Sequence, residues 1–191
     1  MGLFDKLASF LGIRRKDCNV LVVGLDNSGK STVLNHFKSP DCKDSNVVPT
    51  IGFSVEKFKY KNVHFTAWDM SGQGRYRNLW EHYYSDCQGV IYVVDSADKL
   101  RLAVAKDELD ILLKHPEIKS RSLPILVLAN KMDLRDALSP VKIVQGLGLD
   151  QDLVKDKPWQ IAATNALTGD GLAAGADWLS DQIQLNLSRR K

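Results

Sequence analysis

Gly24-Leu25-Asp26-Asn27-Ser28-Gly29-Lys30-Ser31 places two glycines, a lysine and a hydroxyl at the spacing that can cradle a row of phosphates. This G-x-x-x-x-G-K-[ST] pattern follows the apolar run Asn19-Val20-Leu21-Val22-Val23 and precedes a helical pattern. A strand, a glycine-rich loop and a helix start are the context that such a loop requires. The N–H groups of Asp26, Asn27, Ser28 and Gly29 would then line a concave anion site at a helix N-terminus. Lys30 is placed to reach the β- and γ-phosphates of a nucleotide. The Ser31 hydroxyl is placed to ligate Mg²⁺, and Thr32 to sit near the α-phosphate.

Other clusters suit the same ligand. Asp69-Met70-Ser71-Gly72-Gln73 follows a strand that ends at Trp68. A carboxylate at the C-terminal end of a strand beside the loop can hold Mg²⁺ through water. Gly72 would offer its N–H to a γ-phosphate where a side chain would obstruct, and Gln73 would orient an attacking water. Thr50, within Pro49-Thr50-Ile51-Gly52, would complete the Mg²⁺ coordination when that phosphate is present. Asn130-Lys131-Met132-Asp133 ends the run Ile125-Leu126-Val127-Leu128-Ala129 and selects the base. The Asp133 carboxylate only accepts, so it matches the paired N1–H and N2–H₂ donors of guanine and rejects adenine. Lys131 can lie along the base and Asn130 can tie this loop to the phosphate loop. The Ala166 N–H, within Asn165-Ala166-Leu167, would meet guanine O6. The expected ligands are GTP and GDP with Mg²⁺. Asp26 places a carboxylate near the γ-phosphate, where it would repel the charge of a transition state and slow unaided turnover.

These residues need a scaffold of alternating elements. Strand-like runs recur near 19–24, 51–60, 63–69, 88–95, 123–129 and 158–163, and helical patterns cover 29–38, 98–114, 139–147 and 171–187. The alternation predicts an α/β fold, a six-stranded and mostly parallel sheet with helices on both faces. Lys61-Asn62 is too short for a parallel crossover, so the runs around it form a hairpin that contributes one antiparallel strand. Residues 39–49, with Pro40, Asp41 and Pro49, read as a loop entering that hairpin. Ala105, Leu109, Leu112 and Leu113, with Val104, form a stripe expected to face the core.

A length of 191 residues suits one domain with a sizeable core. A net charge of +3 gives no indication of a nucleic-acid partner. Cys18, Cys42 and Cys87 form no C-x-x-C pair and read as reduced thiols of a cytoplasmic protein. His36, His64, His82 and His115 have no metal spacing. The apolar runs are too short to span a membrane, and neither a signal peptide nor a C-a-a-X box is expected. Leu3, Phe4, Leu7, Phe10 and Leu11 share one helical face, and Arg14-Arg15-Lys16 follow. Residues 1–16 thus read as an amphipathic helix and linker for an anionic membrane surface, or as a helix packed permanently on the domain. Residues 17–188 are the expected catalytic domain. Lys6 stands where an N-myristoylation signal wants Ser or Thr, against modification of Gly2.

The chain resembles the ADP-ribosylation-factor (Arf) and Arf-like family of small GTPases over nearly its whole length. The resemblance is carried by Gly24-Leu25-Asp26, Pro49-Thr50-Ile51-Gly52-Phe53, Trp68-Asp69, Gly72-Gln73 and Gly169-Asp170-Gly171-Leu172, with Asp177-Trp178-Leu179. Segments 69–84 and 130–137 resemble the ciliary branch of that family. The resemblance implies a Ras-like P-loop GTPase fold and a monomeric GTPase that is slow without a GTPase-activating protein (GAP). It implies an exchange factor and a GTP-dependent coat or effector, which for the ciliary branch is the Bardet–Biedl coat complex (BBSome). Localisation would be peripheral to membranes at the cilium or ciliary base. Phe53, Trp68 and Tyr83 correspond to the aromatic triad that meets effectors in Arf proteins, and packing of the hairpin is the other use for the same rings. Ser71 fits the ciliary branch, whereas Asn165 departs from the small residue common in the family. Two further readings share the motifs. One is a GTP-loaded binding module with negligible hydrolysis. The other is a P-loop nucleotide kinase, which would want an Arg-rich lid and against which N-K-x-D argues. No arginine stands out from the sequence as a finger acting in cis.

Overall fold

The computed structural model describes residues 16–61, 63–150 and 154–189. Its strands are β1 (Lys16–Val23), β2 (Phe53–Tyr60), β3 (Val63–Met70), β4 (Gly89–Asp95), β5 (Ile125–Asn130) and β6 (Trp159–Ala163). Its α-helices are α1 (Lys30–Phe37), α2 (Leu102–Lys114), α3 (Pro116–Lys119), α4 (Pro140–Leu147) and α5 (Leu172–Arg189). Turns of 3₁₀ helix cover Pro40–Cys42, Gly74–Tyr83 and Lys99–Arg101. The strands form one sheet in the order β2-β3-β1-β4-β5-β6. All pairings are parallel except β2 with β3, which runs antiparallel from Phe53↔Met70 to Tyr60↔Val63.

Burial explains which strands lie where. Val20, Leu21, Val22 and Val23 are all fully buried, and β5 is buried throughout. Only a strand covered by helices on both faces reads as a continuous apolar run. β2 alternates exposed and half-buried positions, as an edge strand with one covered face does. On one side of the sheet Leu21, Tyr92 and Val127 pack with Trp80, with Leu109 and Leu112 of α2, and with Ile143 of α4. On the other, Val20, Val22, Leu126 and Leu128 pack with Val33 and Leu34 of α1 and Leu179 and Ile183 of α5. Each such fully buried side chain contributes roughly 1.5–3 kcal/mol.

The stripe on α2 departs from expectation at one position. Ala105, Leu109, Leu112 and Leu113 are buried, but Val104 is 39% exposed. It sits one residue off the buried line and turns toward the flank of the helix. The 3₁₀ segment Gly74–Tyr83 and the four-residue α3 have no counterpart in the sequence reading. Neither is long enough or regular enough to give a 3.6-residue apolar period.

Two sets of polar contacts hold the segments flanking the site. Asn35 of α1 donates through Nδ2 to Asp44 O at 2.9 Å and accepts from Asp44 N through Oδ1 at 2.8 Å. Lys38 pairs with Asp44 at 2.9 Å and with Glu56 of β2 at 3.0 Å. The loop after α1 is thereby tied to both elements that it connects. At the far end of the hairpin, Tyr60 Oη donates to Ala173 O at 3.1 Å and Lys61 pairs with Asp177 of α5. The expected N-terminal face of Leu3, Phe4, Leu7, Phe10 and Leu11 lies outside the described residues. Among the described residues no helix is long and apolar enough to cross a membrane.

Candidate nucleotide and metal site

Residues Gly24 to Gly29 join β1 to α1 through a backbone that favours glycine and small polar residues. Asn27 has φ 61° and Gly29 has φ 97°, both in the left-handed region. Gly29 is constrained a second time, because a Cβ there would lie 2.3 Å from Asn130 Nδ2. The loop borders a cavity of about 260 Å³ lined by Asp26, Asn27, Gly29, Lys30, Ser31, Thr32, Thr50, Gly72 and Gln73, among others. Nine of the positions singled out in the sequence thus converge on one concavity. Ser28 lies just beneath, buried, with an Oγ that has no partner among the described residues.

Lys30 opens α1 and is 6% exposed. Its Nζ donates to Gly24 O at 3.1 Å and Leu25 O at 2.8 Å. Burial pulls its pKa down to about 8, against the opposing charges of Asp69 and Asp26. An anion in the cavity would favour the charged form and reverse that shift.

Next to it, Ser31 Oγ donates to Asp69 Oδ2 at 2.5 Å and Thr50 Oγ1 to the same oxygen at 3.1 Å. The two hydroxyl oxygens are 2.9 Å apart. Asp69 Oδ1 is buried with no hydrogen-bond partner among the described residues. Burial raises the Asp69 carboxyl above its usual range, opposed by the Ser31 hydrogen bond and the charge of Lys30. Two hydroxyls and a carboxylate with an uncommitted oxygen form a donor set for a hard cation. It suits Mg²⁺, which takes few protein ligands and completes its shell with water and phosphate. No group of three or more His, Cys, Asp or Glu that could hold a metal occurs among the described residues, so the hydroxyls are integral to this set.

Gly72 is constrained by the main chain packed against it. A Cβ there would lie 2.2 Å from Asp26 N and Leu25 C, so the main chain of the phosphate loop leaves it no room. Ser71 N donates to Gly52 O at 2.9 Å, Trp80 Nε1 to Ser71 O at 3.1 Å and Arg77 Nε to Gly72 O at 2.9 Å. Gln73 follows at the cavity wall.

The base-side loops meet at Asn130. Its Nδ2 donates to Ser28 O at 2.9 Å, while its Oδ1 accepts from Thr164 Oγ1 at 3.2 Å and Ala166 N at 3.0 Å. One amide therefore joins the phosphate loop to both base loops. The Ala166 N–H is directed at Asn130, where it satisfies the buried amide oxygen. Lys131 Nζ pairs at 2.7 Å with Asp95, a carboxylate at the end of β4 that stands opposite Asn130 in the sheet register. Asp133 is exposed in the turn beyond. The triad expected to meet effectors is contiguous: Tyr83 lies 5.2 Å from Phe53 and 5.0 Å from Trp68, ring centre to ring centre.

The sequence reading missed the surroundings of Asp26. Arg101 Nη1 donates to Asp26 Oδ1 at 3.0 Å and Arg77 Nη2 lies 4.0 Å from it. Arg77 also binds Glu108 of α2 at 2.6 Å. Asp26 is thus flanked by two guanidinium groups. No motif signals these pairs, because Arg101 stands 75 positions away.

The fold and the loop after β1 define a Ras-like P-loop nucleotide-binding protein. The ADP-ribosylation factor family profile matches residues 4–183, and the chain belongs to that family. It is 60% identical over 184 residues to the ADP-ribosylation factor-like protein 6 of Danio rerio, covering 96% of this chain and 98% of that one. It is 45% identical over 191 residues to the protein of the same name in Caenorhabditis elegans, across 100% of both chains. Among solved structures, the Arl6 BBS3 small GTPase from Trypanosoma brucei, with bound nucleotide analogue GppNp, matches with a TM-score of 0.83 and 40% identity. That match covers 90% of this chain and 99% of the other. The chain is accordingly a small GTPase, a GTP-binding switch that hydrolyses GTP and works with GTP-dependent effectors, exchange factors and GAPs.

Proposed function

We propose that this GTPase binds GTP·Mg²⁺ through the residues gathered above and, in that state, recruits a coat complex at a membrane. The observation that carries the proposal is the convergence of Ser31, Thr50 and Asp69 beside the buried Lys30. Ser31 and Thr50 would hold Mg²⁺ directly and Asp69 through water. Bound Mg²⁺ supplies positive charge to the β- and γ-phosphate oxygens. Lys30 and the N–H groups of the phosphate loop stabilise charge that develops on the same oxygens. Gln73 orients the water that attacks the γ-phosphate in line, and GDP is the leaving group. Asp133 reads guanine, Asn130 keeps the base loops in register with the phosphate loop, and a GAP contributes what the chain lacks for fast turnover.

The effector face is the triad Phe53, Trp68 and Tyr83, and the coat is the BBSome, a reading supported by the similarity to proteins named ADP-ribosylation factor-like protein 6. Residues 1–16 form the membrane-binding helix and linker and residues 17–188 the GTPase domain, at the membrane of the cilium or its base. The test is single-turnover hydrolysis of GTP by the wild type and Ser31→Asn with Mg²⁺ or excess chelator, alongside GDP binding. Hydrolysis that needs Mg²⁺ and is lost in Ser31→Asn, with GDP binding retained, is expected. Undiminished GTP binding and hydrolysis in Ser31→Asn would remove this residue from the metal site.

A further inference from the structure

Asp26 lines the same cavity as Lys30, Gly72 and Gln73, close enough for its charge to act on Lys30. An unpaired carboxylate there would oppose a bound triphosphate. Arg101 grips both oxygen types of this one residue: Nη1 reaches the side-chain Oδ1 at 3.0 Å and Nη2 the main-chain O at 3.3 Å. Arg101 is itself held by Asp98, whose Oδ2 accepts from Nε at 2.6 Å and whose Oδ1 accepts from the Arg101 N–H at 3.3 Å. Only a planar guanidinium can serve three oxygens in this way, because its donors are fixed in one fork. The chain Asp98–Arg101–Asp26 draws the Asp26 carboxylate toward the 3₁₀ turn that precedes α2.

We propose that Arg101 is a positioning residue for the triphosphate: it neutralises and turns Asp26 so that the loop accepts a γ-phosphate, and thereby raises the affinity for GTP relative to GDP. This deepens the GTP reading above and rests on it. GTP brings one more phosphoryl charge than GDP into the reach of Asp26. Loss of Arg101 therefore penalises GTP more than GDP. The side chains are 35% and 46% exposed, so solvent screens the pair and the effect is about fivefold at most.

The experiment uses the full chain with Mg²⁺ and compares equilibrium affinities for fluorescent GDP and a fluorescent non-hydrolysable GTP analogue. The variants are Arg101→Ala, Arg101→Lys, Asp26→Asn and the double variant Asp26→Asn/Arg101→Ala. In Arg101→Ala the ratio of GTP-analogue to GDP affinity should fall by about fivefold at low salt and by less at high salt. Arg101→Lys keeps the charge without the grip and should fall between wild type and Arg101→Ala, which gives a reading even if the alanine variant does not fold. The double variant should show the same ratio as Asp26→Asn, a rescue that a merely structural role would not produce. Equal losses for both nucleotides, or a loss that persists in the double variant, would overturn the proposal while leaving the GTP reading intact. Failure of the wild type to bind either nucleotide would overturn both.

Discussion

The proposed base reading rests on one exposed carboxylate, Asp133. In Asp133→Asn the amide N–H₂ can donate to the C2 carbonyl of xanthine, which the carboxylate would repel. The variant should lose GTP and gain xanthosine triphosphate, reversing the preference by about two orders of magnitude or more. Competition binding with the two nucleotides measures it, and an unchanged preference for GTP would take Asp133 out of the base site. Gln73→Leu should leave nucleotide binding intact and lower GAP-stimulated hydrolysis by about a hundredfold, since the attacking water loses its orientation. A variant as fast as wild type with a GAP would end that assignment. At this scale the sequence is readable wherever chemistry is packed into a short motif. Lys30, Ser31, Asp69 and Asn130 could be named from their neighbours. Arg101 on Asp26, Asp95 on Lys131 and Thr164 on Asn130 bridge 75, 36 and 34 positions. Each side chain in those pairs looks ordinary until the fold brings it to its partner.

The β2–β3 hairpin carries Phe53 and Trp68, and the 3₁₀ segment after β3 carries Tyr83 between them. A partner that seats on this cluster meets rings held by two separately anchored elements. Phe53→Ala or Tyr83→Ala should weaken effector capture by about 1–2 kcal/mol or more if the ring is a hot spot. Pull-downs with the GTP-analogue and GDP forms would measure both the loss and its nucleotide dependence. Equal recovery from the two forms would contradict a switch. Elements were legible where apolar period and turn residues agreed, as in β1, β4, β5 and the hairpin around Lys61. The segment 74–83 was not, because Gly74, Arg75, Arg77 and Asn78 break any apolar period. Its order comes from Trp80 and Arg77 reaching back to the carbonyls of Ser71 and Gly72.

Across the molecule, two of the three thiols report on the cores, one on each face of the sheet. Cys42 is exposed, whereas Cys18 and Cys87 are buried, and burial pushes the Cys87 thiol up to about 11, with Arg121 opposing. A brief alkylation pulse near neutral pH should modify Cys42 alone in the native protein and all three in denaturant, as read by mass spectrometry. Three rapid adducts in the native state would contradict the packing described. At the N-terminus, the face of Leu3, Phe4, Leu7, Phe10 and Leu11 should bind anionic liposomes when GTP is bound. Arg14, Arg15 and Lys16 would add on the order of 1 kcal/mol each. Flotation should need the GTP analogue, weaken with salt, and vanish on deletion of residues 2–12. Equal flotation of the GDP form would defeat the nucleotide gating.

The pairing of β3 with β1 imposes an arithmetic on any motion of the hairpin. Val63, Phe65 and Ala67 point into the core while His64, Thr66 and Trp68 are half-buried on the opposite face. Sliding β3 by one residue would exchange the two sets and bury His64, so only even displacements preserve the interior. The smallest is two residues, about 6.6 Å along a parallel pair. A step of that length would carry Asp69 away from Ser31 and, at the same stroke, pull Tyr60 and Lys61 off α5. Asp69 and the hairpin tip, at opposite ends of the strand, would therefore be locked to one parity and move together in whole two-residue steps. Spin labels at Lys61 and on α5 would register this as either no displacement or the full step between nucleotide states. A half-step of about 3.3 Å would break the rule.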